Sequence, residues 1–380
     1  MTSAPITILA TANTSWYLYN FRLKLLHRLR ELGWNVVVAA PSDEYSSRLA
    51  SEGFAVREVR IDSKGTNPLR DLATLRTYVS LMRAEAATAV LSFTVKPVVY
   101  GALAARLLRI PFVGTVTGLG SAFIRADSVT YVVKRLYKAA LSKAAHVFFQ
   151  NPDDLDLFRS QALLREGQKV SLVGGSGVDP AHFAPRPYGT GEKFTFLLAT
   201  RMLRDKGVYE YVEAAKLVRG RFPATRFLLL GKADVDNPSA ISRAQLEEWT
   251  RAGNVEYLGE TDDVRPFIAM ADVVVLPSYR EGLPRVLLEA ASMMRPIVTS
   301  DTTGCREVVV HGTTGLLCRP RDAADLAAAL QAMLGLTDAD RQRMGALGRQ
   351  RVIERFTEDS VIAAYVEALR TACAARLARS

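Results

Sequence analysis

The sequence has little cysteine and little histidine for its 380 residues. The three cysteines are Cys305, Cys318 and Cys373. Their number is odd and they lack the paired spacing of a metal site, which fits a cytoplasmic protein without disulfides. The four histidines are His27, His146, His182 and His311. They are scattered along the chain, and this disfavours a histidine-based zinc site.

Long apolar runs are also missing. No window holds the roughly 20 apolar residues that a membrane span needs, and no signal peptide precedes the first apolar run, Ile6–Ala10. The composition, with 49% apolar and 23% charged residues, is that of a globular protein with an ample core. Because single cores stop growing at about 250–300 residues, the chain is expected to form two domains.

The charge is unbalanced, with 49 lysines and arginines against 39 acidic residues, a formal net charge of +10. Such a charge attracts nucleic acid, an anionic membrane face or phosphorylated substrates. No basic–aromatic motif of a known nucleic-acid reader is present. The sequence therefore favours a membrane surface or a phosphate-bearing ligand and predicts no nucleic-acid partner.

Short apolar runs alternate with helical patterns through both halves of the chain. Asn67-Pro68 and Asn151-Pro152 have the form of a helix N-cap followed by a first-turn proline. The alternation predicts an α/β protein with two doubly wound parallel sheets. The predicted organisation is an N-terminal domain at 1–177, a Gly/Pro-rich linker at 178–193, a second domain at 194–356, and a helix at 357–380 that returns to the first domain.

The stretch Ser278–Pro296 follows an apolar run at Val273–Leu276 that reads as a buried strand. It passes through a Pro/Gly turn and opens a helix near Arg285, so that unpaired N–H groups would form an anion site. Glu281 and Glu289 flank this turn, and two acids beside an anion site are more easily explained as partners of hydroxyl groups. The pattern indicates a nucleotide-sugar pocket, although strand–turn–helix units are common in any α/β protein.

Other loops that follow predicted strands carry polar or glycine-rich content. Arg201 and Lys206 could together hold a diphosphate, with an ordinary basic loop as the alternative. Gly231 would allow a backbone to approach a ligand closely. Leu258 and Gly259 could flank a flat base, or pack in the core.

A further polar loop is the segment Asp301–Glu307, DTTGCRE, which contains Thr303. It could contact the same anion or cap a short helix. Within it, Cys305 has no evident histidine partner and is expected to be a packing residue.

Three groups of residues in the second half carry a family resemblance: Arg201…Lys206-Gly207, Glu281-Gly282…Glu289-Ala290 and Gly304-Cys305-Arg306-Glu307. The first half adds Asn20-Phe21-Arg22, Val116-Thr117-Gly118-Leu119-Gly120 and Asn151-Pro152-Asp153-Asp154. The set resembles the retaining glycosyltransferases of family 4, which have the GT-B fold of two domains facing across a cleft. It is similar to the subgroup that extends polyprenyl-diphosphate-linked oligosaccharides for bacterial surface glycans.

The resemblance implies a role for each matching residue. Glu281, Arg201 and Lys206 would be catalytic, with the two cations holding the donor diphosphate and Glu281 binding sugar hydroxyls. Glu289 would take the ribose hydroxyls. The donor-binding set would also include Gly282, Leu283, Pro284, Leu258, Gly259 and Thr303. No metal or other cofactor is expected, because the cationic pair takes the place of Mg²⁺.

The sequence departs from the family pattern on the acceptor side. Where many relatives have a histidine facing the donor sugar, this chain has Thr117 and Gly118. The glycine pair of the first loop is replaced by a segment that contains Asn13 and Thr14. These four residues are the predicted N-domain contacts of acceptor or donor.

The predicted activity is transfer of a hexose or N-acetylhexosamine from a UDP-sugar to a lipid-linked glycan acceptor. The alternatives are a UDP-sugar 2-epimerase of the same architecture and a non-catalytic member of a glycan-assembly complex. Two basic segments, Asp127–Lys143 and Phe21–Arg30, are interpreted as amphipathic helices that could lie on a membrane, with packing on their own sheet as the alternative. The expected location is the cytoplasm, with peripheral attachment to the inner face of the cytoplasmic membrane.

Overall fold

The computed structural model describes residues 6–62, 67–119, 128–187 and 193–378. The chain forms two compact units. The first comprises the described residues up to Ser176 together with those from Asp359 onward, and the second is Gly177–Glu358. Gly120, Asp127 and residues 188–192, which belong to motifs or segments considered above, lie outside the described residues.

The first unit is built on a sheet of seven strands. They are β1 (Thr7–Thr11), β2 (Asn35–Ala40), β3 (Ala55–Glu58), β4 (Ala89–Phe93), β5 (Phe112–Val116), β6 (His146–Phe149) and β7 (Val170–Leu172). Their order is β3-β2-β1-β4-β5-β6-β7, and neighbouring strands are parallel. The sequence analysis did not predict β7, because three partly exposed residues have too little apolar pattern to stand out.

In the part of this unit that the structure describes, seven helices cover the sheet. They are α1 (Ser15–Glu31), α2 (Glu44–Ser51), α3 (Pro68–Ala84), α4 (Val95–Leu107), α5 (Ser128–Leu141), α6 (Pro152–Ser160) and, from the end of the chain, α14 (Glu358–Leu377). The predicted starts of α3 and α6 are confirmed, since Asn67 and Asn151 each accept a backbone N–H of the first turn. Tyr365 of α14 is buried and its hydroxyl lies 2.8 Å from Thr115 Oγ1 of β5.

The second unit has a sheet of six parallel strands. They are β8 (Thr195–Ala199), β9 (Arg226–Leu230), β10 (Glu256–Tyr257), β11 (Val273–Leu276), β12 (Ile297–Ser300) and β13 (Gly315–Cys318), in the order β10-β9-β8-β11-β12-β13. Apolar clusters fill both faces of each sheet. The prediction of two doubly wound α/β halves is confirmed.

The helices of the second unit are α7 (Val208–Arg221), α8 (Arg243–Arg251), α9 (Arg265–Met270), α10 (Arg285–Ser292), α11 (Cys305–Val308), α12 (Ala323–Gly335) and α13 (Asp338–Arg355). A short 3-10 turn, Arg204–Lys206, precedes α7. α8 begins at Arg243, because Ser242 caps the helix by accepting the N–H of Gln245. None of the described helices combines the length and apolar character needed to cross a bilayer.

Candidate functional site

The polar loops predicted in the second half leave the carboxyl ends of β8, β9, β10, β11 and β12. Parallel strands place these ends at one edge of the sheet, where ligands bind in doubly wound folds. The loops after β8 and β11 touch, and so do those after β11 and β12. The structure therefore brings together the residues that the sequence placed in separate loops.

Two glycines are required where these loops meet. Gly207, before α7, has φ +73°, and a Cβ there would lie 2.1 Å from the carbonyl oxygen of Pro277. Gly304, before α11, has φ +81°, and its Cβ would lie 2.6 Å from the Gly282 oxygen and 2.7 Å from that of Glu281. A side chain at either position would push the loops apart, so these glycines keep Lys206, Glu281 and α11 in one cluster.

Gly231 was predicted to let a ligand approach the backbone, and the structure supplies a different reason for it. Its φ is +140°, and an added Cβ would lie 1.9 Å from the carbonyl oxygen of Thr200. Its N–H donates to Gly259 O at 2.7 Å, and its own oxygen accepts the Tyr257 hydroxyl at 2.9 Å. The close approach at Gly231 is therefore between neighbouring loops of the chain.

Lys206 and Glu281 form the centre of this edge. The ammonium of Lys206 donates to Glu281 Oε1, and both side chains are largely buried. The backbone N–H of Glu281 donates to Thr303 O at 3.1 Å, which ties the loop after β11 to the loop after β12. An ammonium group and a carboxylate are thus held side by side at the mouth of α10.

Glu289 lies one turn inside α10 and is 9% exposed. Its Oε1 accepts Arg285 Nε at 2.8 Å. Burial raises the pKa of Glu289 above its ordinary value, the Arg285 guanidinium opposes this, and Asp263 adds to it. The sequence analysis used only the backbone of Arg285, although the i,i+4 spacing to Glu289 on one helix predicts this pair.

The N-terminus of α10 begins after Gly282, Leu283 and Pro284. Pro284 is the N-cap residue, and no side chain caps the helix. Gly282 and Leu283 are partly exposed, whereas Pro284 is buried. The helix therefore starts without a side-chain cap, and the positive end of its dipole lies at the same edge as Lys206.

The segment after β12 packs against the neighbouring loop and supplies no side-chain cap to α11. The hydroxyl of Thr302 donates to Ser278 O at 3.3 Å, and no side chain caps α11. Cys305 is fully buried, and burial raises the pKa of its thiol to about 12 with the Glu281 carboxylate adding to the effect. The expectation that Cys305 is a packing residue is confirmed.

The remaining predicted donor residues lie in the loops after β8 and β10. Arg201 is exposed at the end of β8, and Leu258 and Gly259 are half-buried where β10 ends. Leu258 also packs against the core of the second unit. Among the described residues, no three side chains of histidine, cysteine, aspartate or glutamate are grouped to hold a metal ion.

The predicted residues of the first unit also lie at carboxyl strand ends. Asn13 and Thr14 follow β1, and Thr117 and Gly118 follow β5, with β4 between these strands. The N–H of Asn13 donates to Thr94 Oγ1 at 3.1 Å. The hydroxyl of Thr14 caps α1 by accepting the N–H of Tyr17 at 3.1 Å, a helix-starting role that the sequence analysis did not consider.

Arg22 does not belong to the basic surface that the sequence placed on Phe21–Arg30. It is 2% exposed, donates to the Tyr17 hydroxyl at 2.9 Å, and its guanidinium carbon lies 4.4 Å from the centre of the Phe93 ring. Arg30 donates to Glu52 O at 2.7 Å. Lys24, Arg28 and Arg30 are exposed, so α1 has one buried arginine among surface cations, which the charge count alone did not distinguish.

Two protein families match the sequence. Residues 193–335 match the family described as "Glycosyl transferases group 1", and residues 7–151 match the family described as "Glycosyl transferase 4-like". The first match contains the strand-end loops with Lys206, Glu281 and Glu289. The second contains Asn13, Thr14, Thr117 and Gly118.

Similar proteins include two bacterial glycosyltransferases. N,N'-diacetylbacillosaminyl-diphospho-undecaprenol alpha-1,3-N-acetylgalactosaminyltransferase of Campylobacter jejuni is 29% identical over 334 residues, 83% of this chain and 86% of that protein. The capsular polysaccharide biosynthesis glycosyltransferase CapM of Staphylococcus aureus is 24% identical over 303 residues, 77% and 78% of the two chains.

Solved structures show the same architecture. Sucrose-phosphate synthase of Thermosynechococcus elongatus superposes with a TM-score of 0.79 at 19% identity, covering 97% of this chain and all (100%) of that one. Anabaena HepE, solved with UDP and glucose, superposes with a TM-score of 0.77 at 20% identity, covering 96% and 100%. At these identities the likeness is one of fold.

Proposed function

The chain belongs to the glycosyltransferases with group 1 and 4-like domains and has their GT-B fold, and from this premise we propose the reaction that this hexosyltransferase catalyses. It transfers a hexose or an N-acetylhexosamine from a UDP-sugar to a polyprenyl-diphosphate-linked glycan, with retention at the anomeric carbon. The observation that carries the proposal is the contact of Lys206 with Glu281 beside the uncapped start of α10.

The donor end of the reaction uses groups at this edge of the second unit. The N–H groups at the start of α10 would receive the diphosphate. Lys206 and Arg201 would offset the charge that develops on the departing UDP, in place of a metal ion. Glu281 would accept sugar hydroxyls and Glu289 those of the ribose.

The bond changes of the proposed step balance without a covalent enzyme intermediate. The bond from C1 of the sugar to the UDP oxygen breaks, and the acceptor hydroxyl oxygen bonds to C1 on the same face. The proton of that hydroxyl passes to the departing phosphate oxygen. UDP leaves with the proton, and the enzyme is unchanged.

Support for the acceptor comes from the Campylobacter jejuni relative, whose name describes a diphospho-undecaprenol-linked acceptor. Support for UDP comes from the HepE structure, which was solved with UDP and glucose. The experiment is to incubate the protein with a panel of UDP-sugars with and without polyprenyl-diphosphate-linked glycan. Transfer to the lipid supports the proposal; epimerisation without acceptor, or no reaction, would overturn it in favour of one of the two alternatives.

Glu289 should act mainly in donor binding. Replacement by alanine removes hydrogen bonds to a charged group, each contributing roughly 1.5–3 kcal/mol, so UDP affinity should fall about 10- to 100-fold while kcat changes little. Because burial raises the pKa of Glu289, acidification should protonate it earlier than an ordinary glutamate, and UDP affinity should fall as the pH drops. Calorimetric titration with UDP across pH measures both effects.

The control for this prediction is Glu289→Gln. It keeps the side-chain shape but cannot titrate, so its UDP affinity should be low and should lack the acid-side decrease of the wild-type protein. An unchanged UDP affinity in Glu289→Ala would contradict the ribose assignment.

The membrane partner is proposed to be an anionic bilayer that meets α5. Tyr131 and Val132 are 59% and 54% exposed, and Arg135 donates to the Tyr131 hydroxyl at 2.9 and 2.7 Å. Lys138 is exposed on the same helix. Exposed aromatic and apolar groups next to cations suit the interface of anionic lipids.

Sedimentation with liposomes rich in anionic phospholipid tests this surface. We expect the protein to bind at low salt and to be released at high salt. The double change Arg135→Glu with Lys138→Glu should weaken binding about 30-fold or more, at roughly 1 kcal/mol for each basic residue. Arg251→Glu, an exposed reversal on α8, serves as the control. Absence of salt-sensitive binding would refute this partner.

A further inference from the structure

Tyr279 joins the two loops that carry Lys206 and Glu281. It lies two residues before Glu281 in the loop after β11. Its backbone N–H donates to Asp205 O at 2.9 Å, one residue from Lys206. Its hydroxyl donates to Glu210 Oε1 at 2.7 Å, in the first turn of α7. One residue therefore bonds the Glu281 loop both to the Lys206 turn and to the helix that follows it.

The hydroxyl of Tyr279 is held as a donor. Burial raises its pKa to about 12, and the Glu210 carboxylate adds to this effect. The other oxygen, Glu210 Oε2, is buried and accepts no hydrogen bond from the described part of the chain. Loss of the Tyr279 hydroxyl would thus leave a buried carboxylate with fewer partners, and the local loops would rearrange.

The ring of Tyr279 is held by a third segment. The guanidinium carbon of Arg321, between β13 and α12, lies 4.5 Å from the ring centre, within the range of a cation–π contact. Arg321 has φ +59°, a backbone region that disfavours residues with a Cβ. The turn after β8, the segment between β13 and α12 and the N-terminus of α7 therefore all contact Tyr279.

We propose that Tyr279 is a positioning residue, which through Glu210 and the Asp205 carbonyl holds Glu281 in register with Lys206 for sugar transfer. The inference rests on the proposed function of that pair. Tyr279 acts through the loop that it anchors and needs no contact with substrate. Small displacements of reacting groups lower turnover while leaving the rest of the binding surface intact.

The test is a kinetic comparison of Tyr279→Phe and Glu210→Ala with the wild-type protein. Each should lower kcat about tenfold, with the KM for the UDP-sugar changed by less than about twofold, since positioning affects the transition state more than ground-state binding. The double variant should be no slower than the slower single variant, because both changes remove the same hydrogen bond.

Tyr211→Phe is the matched control. Tyr211 follows Glu210 on α7, is fully buried, and donates its hydroxyl to Phe196 O at 3.0 Å. The substitution also removes one buried hydroxyl and should lower the melting temperature, but kcat should stay within about twofold of wild type because it supports the core. An equal loss of kcat in Tyr211→Phe, or an unchanged kcat in Tyr279→Phe, would overturn the positioning role.

Hydrogen exchange separates this inference from the proposed function. If the wild-type protein transfers sugar from none of the UDP-sugars, the proposed function fails. The anchoring by Tyr279 is then judged by amide exchange of residues 277–282, which should speed up in Tyr279→Phe but not in Tyr211→Phe. Equal exchange in the two variants would overturn the inference by itself.

Discussion

Replacement of Lys206 by alanine should lower kcat for sugar transfer by about 100- to 1,000-fold, the size seen when one group that stabilises developing charge is removed. Lys206 contacts Glu281 at the edge where α10 begins, so its ammonium lies where the leaving diphosphate would gain charge. The change also leaves Glu281 buried without this cation. Steady-state kinetics with the productive UDP-sugar measure the effect.

A matched ion pair provides the control for Lys206→Ala. Lys216 donates to Glu213 at 2.6 Å on α7, and both side chains are well exposed. Lys216→Ala therefore removes a lysine–glutamate pair of the same unit, and exposed pairs of this kind contribute about 0–1 kcal/mol to stability. Its kcat should match that of the wild-type protein. A Lys206→Ala variant as fast as this control would contradict the assigned role.

Substitution of Glu281 by glutamine should lower kcat about 10- to 100-fold, because hydrogen bonds that a charged group makes contribute roughly 1.5–3 kcal/mol. The carboxamide keeps the shape and one acceptor oxygen but loses the charge that pairs with Lys206. Glu281→Ala should be slower still. Thermal melting of each variant shows whether the loss is one of folding, and a fully active Glu281→Ala would exclude this residue from the reaction.

Mass spectrometry distinguishes two mechanisms by which the proposed reaction could retain configuration. Retaining glycosidases use a carboxylate as nucleophile and pass through a covalent glycosyl-enzyme. If Glu281 were such a nucleophile, mass spectrometry of the quenched reaction would show a sugar adduct on the wild-type protein. We expect no adduct. Glu256, which pairs with Arg226 through two hydrogen bonds of 3.0 and 2.6 Å, is the control acid, and Glu256→Gln should leave kcat unchanged.

Local patterns in the sequence determined the fold class and identified the charged residues of the candidate site. The alternation of short apolar runs with helical segments predicted two parallel sheets, because parallel strands are buried on both faces and must be connected by crossovers. The asparagine–proline pairs located the starts of α3 and α6, since capping depends on neighbouring residues. Lys206 and Glu281 were found by their positions in loops after strands, and Glu289 by its position in the first turns of the helix that follows such a loop.

Tertiary packing decided what those residues touch. No local rule predicts that Lys206 contacts a glutamate 75 positions away, or that Tyr279 reaches Glu210 across 69 positions. Likewise, Arg22 reads as a surface cation in the sequence but is enclosed by Tyr17 and Phe93. Such contacts depend on which strand ends lie side by side in the sheet. The order of the strands in the sheet differs from their order in the chain, so the sequence pattern alone does not reveal these contacts.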